Sequence, residues 1–96
     1  MMATYVIFLR ESIHDPAEMD IYGPKAGASL VGHAVKVLAA YGQQEVLEGD
    51  GIDGVVLLEF PTLAEAKAWY DGPGYREARE HRFRGAKYRA VIVEGV

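Results

Sequence analysis

The chain has 96 residues, with ten Lys and Arg against fourteen Asp and Glu, no cysteine, and a hydrophobic fraction of 50%. That length supports one compact domain and excludes a two-domain enzyme. Zero cysteines exclude a disulfide scaffold, thiol catalysis and thiolate zinc sites. The net charge of −4 and a pI of about 5.3 argue against general affinity for nucleic acid.

A domain this small buries only roughly 60–65% of the surface its unfolded chain exposes, so a single core is a thin margin. An apolar content this high suggests that another copy covers part of the surface. No segment reaches the roughly 20 apolar residues needed to span a bilayer. Residues Met1 to Val6 lack the pattern of a secretory signal. A soluble cytoplasmic protein is the expected class.

In chain order, Thr4 to Leu9 is a β-branched and aromatic run that predicts a buried strand. Asp15-Pro16 marks a helix start, with Glu18 placed for a capping box. Met19, Tyr22, Ala26 and Leu30 form one apolar stripe. Gly23-Pro24 predicts a kink or two short helices, and Gly32 closes the element. A second strand is predicted over Val35 to Tyr41, with Glu45 to Glu48 as an optional extension.

Gly49 to Gly54 reads as a turn, and Val55 to Phe60 as the third strand. Thr62 and Glu65 form a capping box for a helix carrying Leu63, Ala66, Trp69 and Tyr70. Asp71 to Gly74 breaks that helix, Tyr75 to Arg84 resumes it, and Ala86 to Glu94 is the last strand. The order β-α-β-β-α-β is that of the ferredoxin-like fold, an α+β architecture with a four-stranded antiparallel sheet and helices on one face. Neighbouring residues such as Tyr5 to Phe8, Val55 to Leu58 and Ala90 to Val93 are all apolar, so both sheet faces call for burial. The second face is expected to meet a symmetric partner, giving a homodimer through the open sheet face.

Glu59, between Leu58 and Phe60, is the candidate catalytic carboxylate, a general base or polar anchor. Its structural alternative is an ion pair with Arg10, Lys36 or Arg89. His33, beside Gly32, is a second acid–base candidate. Tyr22, Trp69, Tyr70 and Tyr75 are candidates to line a small-molecule pocket, or else core and interface rings. The histidines lack metal-site spacing, and neither glycine turn is a phosphate loop, so no metal or cofactor is expected.

The stretch from Arg76 to Arg89 holds six basic and two acidic residues, giving +4 there and −8 elsewhere. Arg79 and Arg82 are placed to hold an anionic ligand group. The alternatives are pairs at i, i+4 spacing (Arg76–Glu80, Glu77–His81, Glu80–Arg84) and pairing with a partner chain's acidic loop.

Asp15-Pro16 with Tyr22, Leu47-Glu48-Gly49, Glu59-Phe60-Pro61-Thr62, Ala66, Trp69-Tyr70, Pro73, Tyr75 and Arg82 carry a family resemblance over nearly the whole chain. The sequence resembles an uncharacterised bacterial family within the dimeric α+β barrel superfamily. It departs from similar sequences at Gly32-His33, where Gly-Gly is usual, and at the Gly23-Pro24 break. The resemblance implies a homodimer whose sheets pack into a barrel. It supplies no activity, although the superfamily includes cofactor-free monooxygenases, lactone isomerases and haem-degrading enzymes. The expected function is binding of a small, anionic organic molecule, with a cofactor-independent enzyme as one form and a non-catalytic dimerisation or ligand-sensing module as the other. Glu59 carries the acid–base role and Arg82 the anion in the enzymatic form.

Overall fold

A computed structural model describes residues 3–96. The strands are β1 (Thr4–Ile13), β2 (Lys36–Ala40), β3 (Gly54–Phe60) and β4 (Ala86–Glu94). The helices are α1 (Pro16–Ser29), α2 (Leu63–Tyr70) and α3 (Pro73–Gly85). All strand pairs are antiparallel, in the order β2-β3-β1-β4. The topology is therefore the ferredoxin-like βαββαβ, with its second helix divided. The molecule is a two-layer slab, 17 Å through its thinnest dimension. Among the described residues no helix is long and apolar enough to cross a membrane.

The sheet's period of two sorts its apolar residues between faces. Val6, Phe8, Leu58 and Phe60 turn toward the helices and are buried with Tyr22, Ala66, Trp69, Tyr75 and Ala78. Their neighbours Ile7, Leu57 and Val91 form a cross-strand row on the opposite face, as do Tyr5, Glu59 and Val93. Among the described residues no helix covers that face, and Val91 and Val93 remain about half exposed, at 51% and 47%. The excess apolar content of the sequence therefore lies on one open surface.

Three local expectations change. Helix α1 runs through Pro24 without division. Pro24 and Asp20 are both exposed, so water can satisfy the Asp20 carbonyl that Pro24 leaves without a donor. Helix α3 starts at Pro73 rather than Tyr75, because proline is well suited to the first helical turn. Gly72 is needed just before it, since a Cβ there would stand 2.6 Å from the Ala68 carbonyl oxygen. Residues Glu45 to Glu48 form no strand.

The capping boxes divide. Thr62 Oγ accepts from the Glu65 amide at 3.1 Å, as expected. Asp15 makes no side-chain cap, and Glu18 turns to α3 instead. It accepts from His81 Nδ1 at 2.8 Å and from Arg84 Nε at 3.3 Å. Lys25 on α1 pairs with Glu77 on α3 at 3.0 Å. The charges of α3 thus lock it to α1 rather than pairing along the helix. The two helices approach so closely that a Cβ on Gly85 would lie 2.9 Å from Glu18 Cβ.

The bond from His81, with Arg84 nearby, holds the Glu18 carboxyl below its ordinary value of 4.5. A carboxyl depressed in the folded state adds stability that is complete above its unfolded pKa and is lost as pH falls through the folded pKa. Glu18→Gln is expected to flatten the loss of stability between roughly pH 5 and pH 3. Urea denaturation at stepped pH measures this, and an unchanged slope would contradict the assignment.

Candidate functional site

A cavity of about 410 Å³ lies between α1 and the helix-facing side of β1, β2 and β3. Phe8, Tyr22, Trp69 and Tyr75 form its aromatic wall. Gly23, Ala26 and Gly27 give α1 a low profile over it, and Val37, Val56 and Leu58 floor it from the sheet. A pocket of this size, mostly apolar with a few convergent polar groups, suits a small organic ligand.

The rings are interlocked. Trp69 packs on Tyr75 with centroids 4.2 Å apart, and Phe8 meets Trp69 edge-on at 6.2 Å. Trp69 Nε1 donates to Ser29 Oγ at 3.0 Å, which fixes the indole against α1. The Tyr22 and Tyr75 hydroxyls meet at 2.8 Å in a buried pair. A second pair, Tyr41 with Tyr88 at 2.6 Å, stands nearer the surface.

Burial, together with the Tyr75 hydroxyl, pushes the Tyr22 pKa far upward. Burial also raises Tyr75, against the opposing field of Arg82. The Tyr41 pKa is raised, first by burial and then by its bond to Tyr88. Tyr22, Tyr75 and Tyr41 therefore stay protonated at neutral pH. One proton of the Tyr22–Tyr75 pair bridges the two oxygens, and the other is not used within the pair.

Arg82 is 5% exposed, and its Nε has no hydrogen-bond partner. Among the described residues no carboxylate pairs with it. Instead its guanidinium lies 4.9 Å from the Phe83 ring centroid, 5.1 Å from Tyr88 and 5.4 Å from Phe8. Three π-faces offset part of the cost of burying the charge. Arg82 stands behind the cavity wall, where its field favours negative charge on Tyr75 and on anything Tyr75 binds.

The structure divides the residues singled out from sequence. Tyr22, Trp69 and Tyr75 meet in the cavity. Tyr70 lies outside it, stacked on Tyr75 at 5.4 Å and covered by Arg79 at 4.5 Å. Arg79 is engaged by the Tyr70 carbonyl at 3.0 Å and by Asp71 at 3.3 Å. Glu59 is on the open sheet face, because Leu58 and Phe60 take the helix-facing positions on either side of it. It lies 3.8 Å from Lys36, and its bond to the Tyr5 hydroxyl raises that group's pKa. His33 sits in the turn after α1, its amide donating to the Leu30 carbonyl at 3.1 Å, away from the cavity lining.

Three site residues were not singled out for the pocket. Arg10 shares the inward phase of Val6 and Phe8, so strand alternation alone placed it there. Tyr88 stands opposite it in the β1–β4 register. Tyr41 directly follows β2 in a left-handed conformation, φ 58°, and depends on contacts distant in sequence. Its ring underlies the Arg10 guanidinium at 4.6 Å.

The Tyr22–Tyr75 bond predicts a measurable coupling. Tyr22→Phe and Tyr75→Phe should each destabilise the fold by about 1 kcal/mol, and the double variant by less than the sum. Urea denaturation of the four proteins checks this; strict additivity would show that the hydroxyls do not act as a pair.

Comparison with known proteins agrees with this architecture. A protein of unknown function from Rhodopseudomonas palustris is 23% identical, with 98% of this chain and 82% of that one covered at a TM-score of 0.74. A dimeric ferredoxin-like protein of unknown function from Thermobifida fusca is 16% identical, with 99% and 92% covered and a TM-score of 0.67. SnoaB, a cofactor-independent oxygenase from Streptomyces nogalater, is 13% identical, with 96% and 90% covered and a TM-score of 0.57. At these identities the similarity shows the fold. No curated protein matches. The family described as a domain of unknown function, DUF1330, matches residues 3–96, and the chain belongs to it.

Proposed function

We propose that the protein is a small-molecule-binding homodimer, each protomer holding one organic ligand in the cavity between α1 and the sheet. The observation that carries this reading is the Tyr22–Tyr75 hydroxyl pair on a 410 Å³ apolar cavity, backed by the nearby Arg82 guanidinium, whose Nε has no hydrogen-bond partner. Protonated hydroxyls in a positive field favour a ligand oxygen that carries or develops negative charge. The ring-lined wall favours a flat, unsaturated body.

In its enzymatic form this site would work without a cofactor, the Tyr22–Tyr75 pair donating its one free hydroxyl proton to an oxyanion. The similarity in fold to a cofactor-independent oxygenase supports that form. The ligand-sensing form is supported by Glu59 and His33, which lie away from the cavity and leave Asp20 as the carboxylate on its wall. Glu59 then serves the open face, beside Lys36 and Tyr5, where it would help fix the register of two sheets.

Trp69 is the chain's single tryptophan and lines the cavity, so its fluorescence reports occupancy. Titration with phenol, benzoate and benzamide should give a saturable change for at least one. Gly27→Leu should abolish it, because a Cβ at Gly27 meets nothing within 4 Å and the added side chain would take up ligand space. Stability should hold or rise by up to about 1 kcal/mol, since leucine is the better helix former. Failure of all three probes to perturb Trp69 would overturn the reading.

The dimer has its own test. Light scattering should give a dimer at micromolar concentration, and a Val91→Lys, Val93→Lys double variant should be monomeric, because paired lysines on the open face would be desolvated. A monomeric natural sequence would refute the assembly.

A further inference from the structure

We propose that Arg10 is the docking group for a ligand carboxylate, so that the cavity selects small aromatic or unsaturated carboxylates over neutral analogues. This deepens the reading above and rests on it. The sequence points to Arg82 for the anion, but that side chain is behind the wall, whereas among the described residues Arg10 is the one cation on the cavity lining.

Arg10 is well prepared for this task. Its position on β1 turns it to the same face as Phe8, and its side chain is only 18% exposed. The Tyr41 ring fixes the guanidinium plane from one side. Tyr41 is itself held by Tyr88, in a left-handed backbone conformation that a bulky residue rarely adopts. A guanidinium held in this way loses little freedom on binding.

Its donors are only partly committed. Nε donates to Asp53 Oδ1 at 2.5 Å, Nη2 reaches the Asp53 carbonyl only at 3.4 Å, and the Tyr88 hydroxyl is a further partner. A guanidinium has five N–H groups, so donors remain for a ligand carboxylate. Asp53 is the rival negative charge, and it is about half exposed, so it can be moved or screened at little cost. Asp20 is the other charged residue on the lining, exposed on α1, and it repels an anion from that end. Together these charges direct a ligand carboxylate to Arg10, with its ring among Phe8, Tyr22, Trp69 and Tyr75.

The test compares benzoate with benzamide and phenol on the full chain, read through Trp69. Benzoate should bind about tenfold more tightly than benzamide, the scale of one charge-assisted contact. Arg10→Gln should remove that preference while leaving benzamide within about twofold, since only the charged contact is lost. Asp53→Asn should strengthen benzoate severalfold. A purely structural Arg10–Asp53 bridge predicts the reverse for Asp53→Asn, with all three probes weakened alike.

Equal binding of benzoate and benzamide would overturn the carboxylate assignment and leave the cavity reading standing. Silence from all three probes would overturn both. Should Arg10→Gln fail to fold, the natural protein's preference and the Asp53→Asn response decide the matter.

Discussion

A four-stranded sheet with apolar residues on both faces, and helices enough for one, is the constraint on which the rest of this structure depends. Period-two alternation sends Phe8, Leu58 and Phe60 to the helices and Ile7, Leu57 and Val91 to the open side. The first set assembles a core and a cavity, and the second leaves a surface that calls for a partner. Cavity and exposed apolar surface thus occupy opposite sides of one sheet. Glu59 lies on the open side away from the cavity, and Arg10 lies on the cavity side.

The cavity's chemistry comes from the cost of burial. Tyr22 and Tyr75 are kept protonated by desolvation, so each answers the other's hydrogen-bonding need. Arg82 lies under three aromatic faces, in place of the carboxylate that usually accompanies a buried guanidinium. A pairing carboxylate would cancel its field at Tyr75; the rings leave that field in place. The aromatic cluster therefore does more than fill volume. It is the medium in which a positive charge is stored.

What was legible in the sequence follows from the range of each interaction. The β-branched runs, the Thr62 cap and the apolar stripe of α1 are local, and each appears in its place, although β1 continues past Leu9 to Ile13 and β2 is trimmed to Lys36–Ala40. Pro24 does not divide α1 into two helices, because a lost hydrogen bond matters little where water can replace it. Glu18 and the charges of α3 suggested contacts within their own helices, yet the closeness of α1 and α3 gave them better partners across the gap. The position of Glu59 was readable in principle, since Leu58 and Phe60 fix its phase. The meeting of Arg10, Tyr41 and Tyr88 was not, because it needs the register of β4 on β1 and the end of β2 together.

The two ends of the connection from β2 to β3 both close on one side chain: Tyr41 lies against Arg10, and Asp53 pairs with it. The Asp53 amide also donates to the Arg10 carbonyl at 2.8 Å. That backbone bond and the Tyr41 ring, rather than the Asp53 side chain, fix where the connection leaves the sheet and where it returns. Lengthening a flexible loop between fixed ends adds only about 0.6 kcal/mol for each doubling of its length. An insertion between Gly42 and Ile52, where Leu47 is 88% exposed, would thus cost the fold little, while the Asp53 amide and the Tyr41 ring keep both ends of the connection beside Arg10.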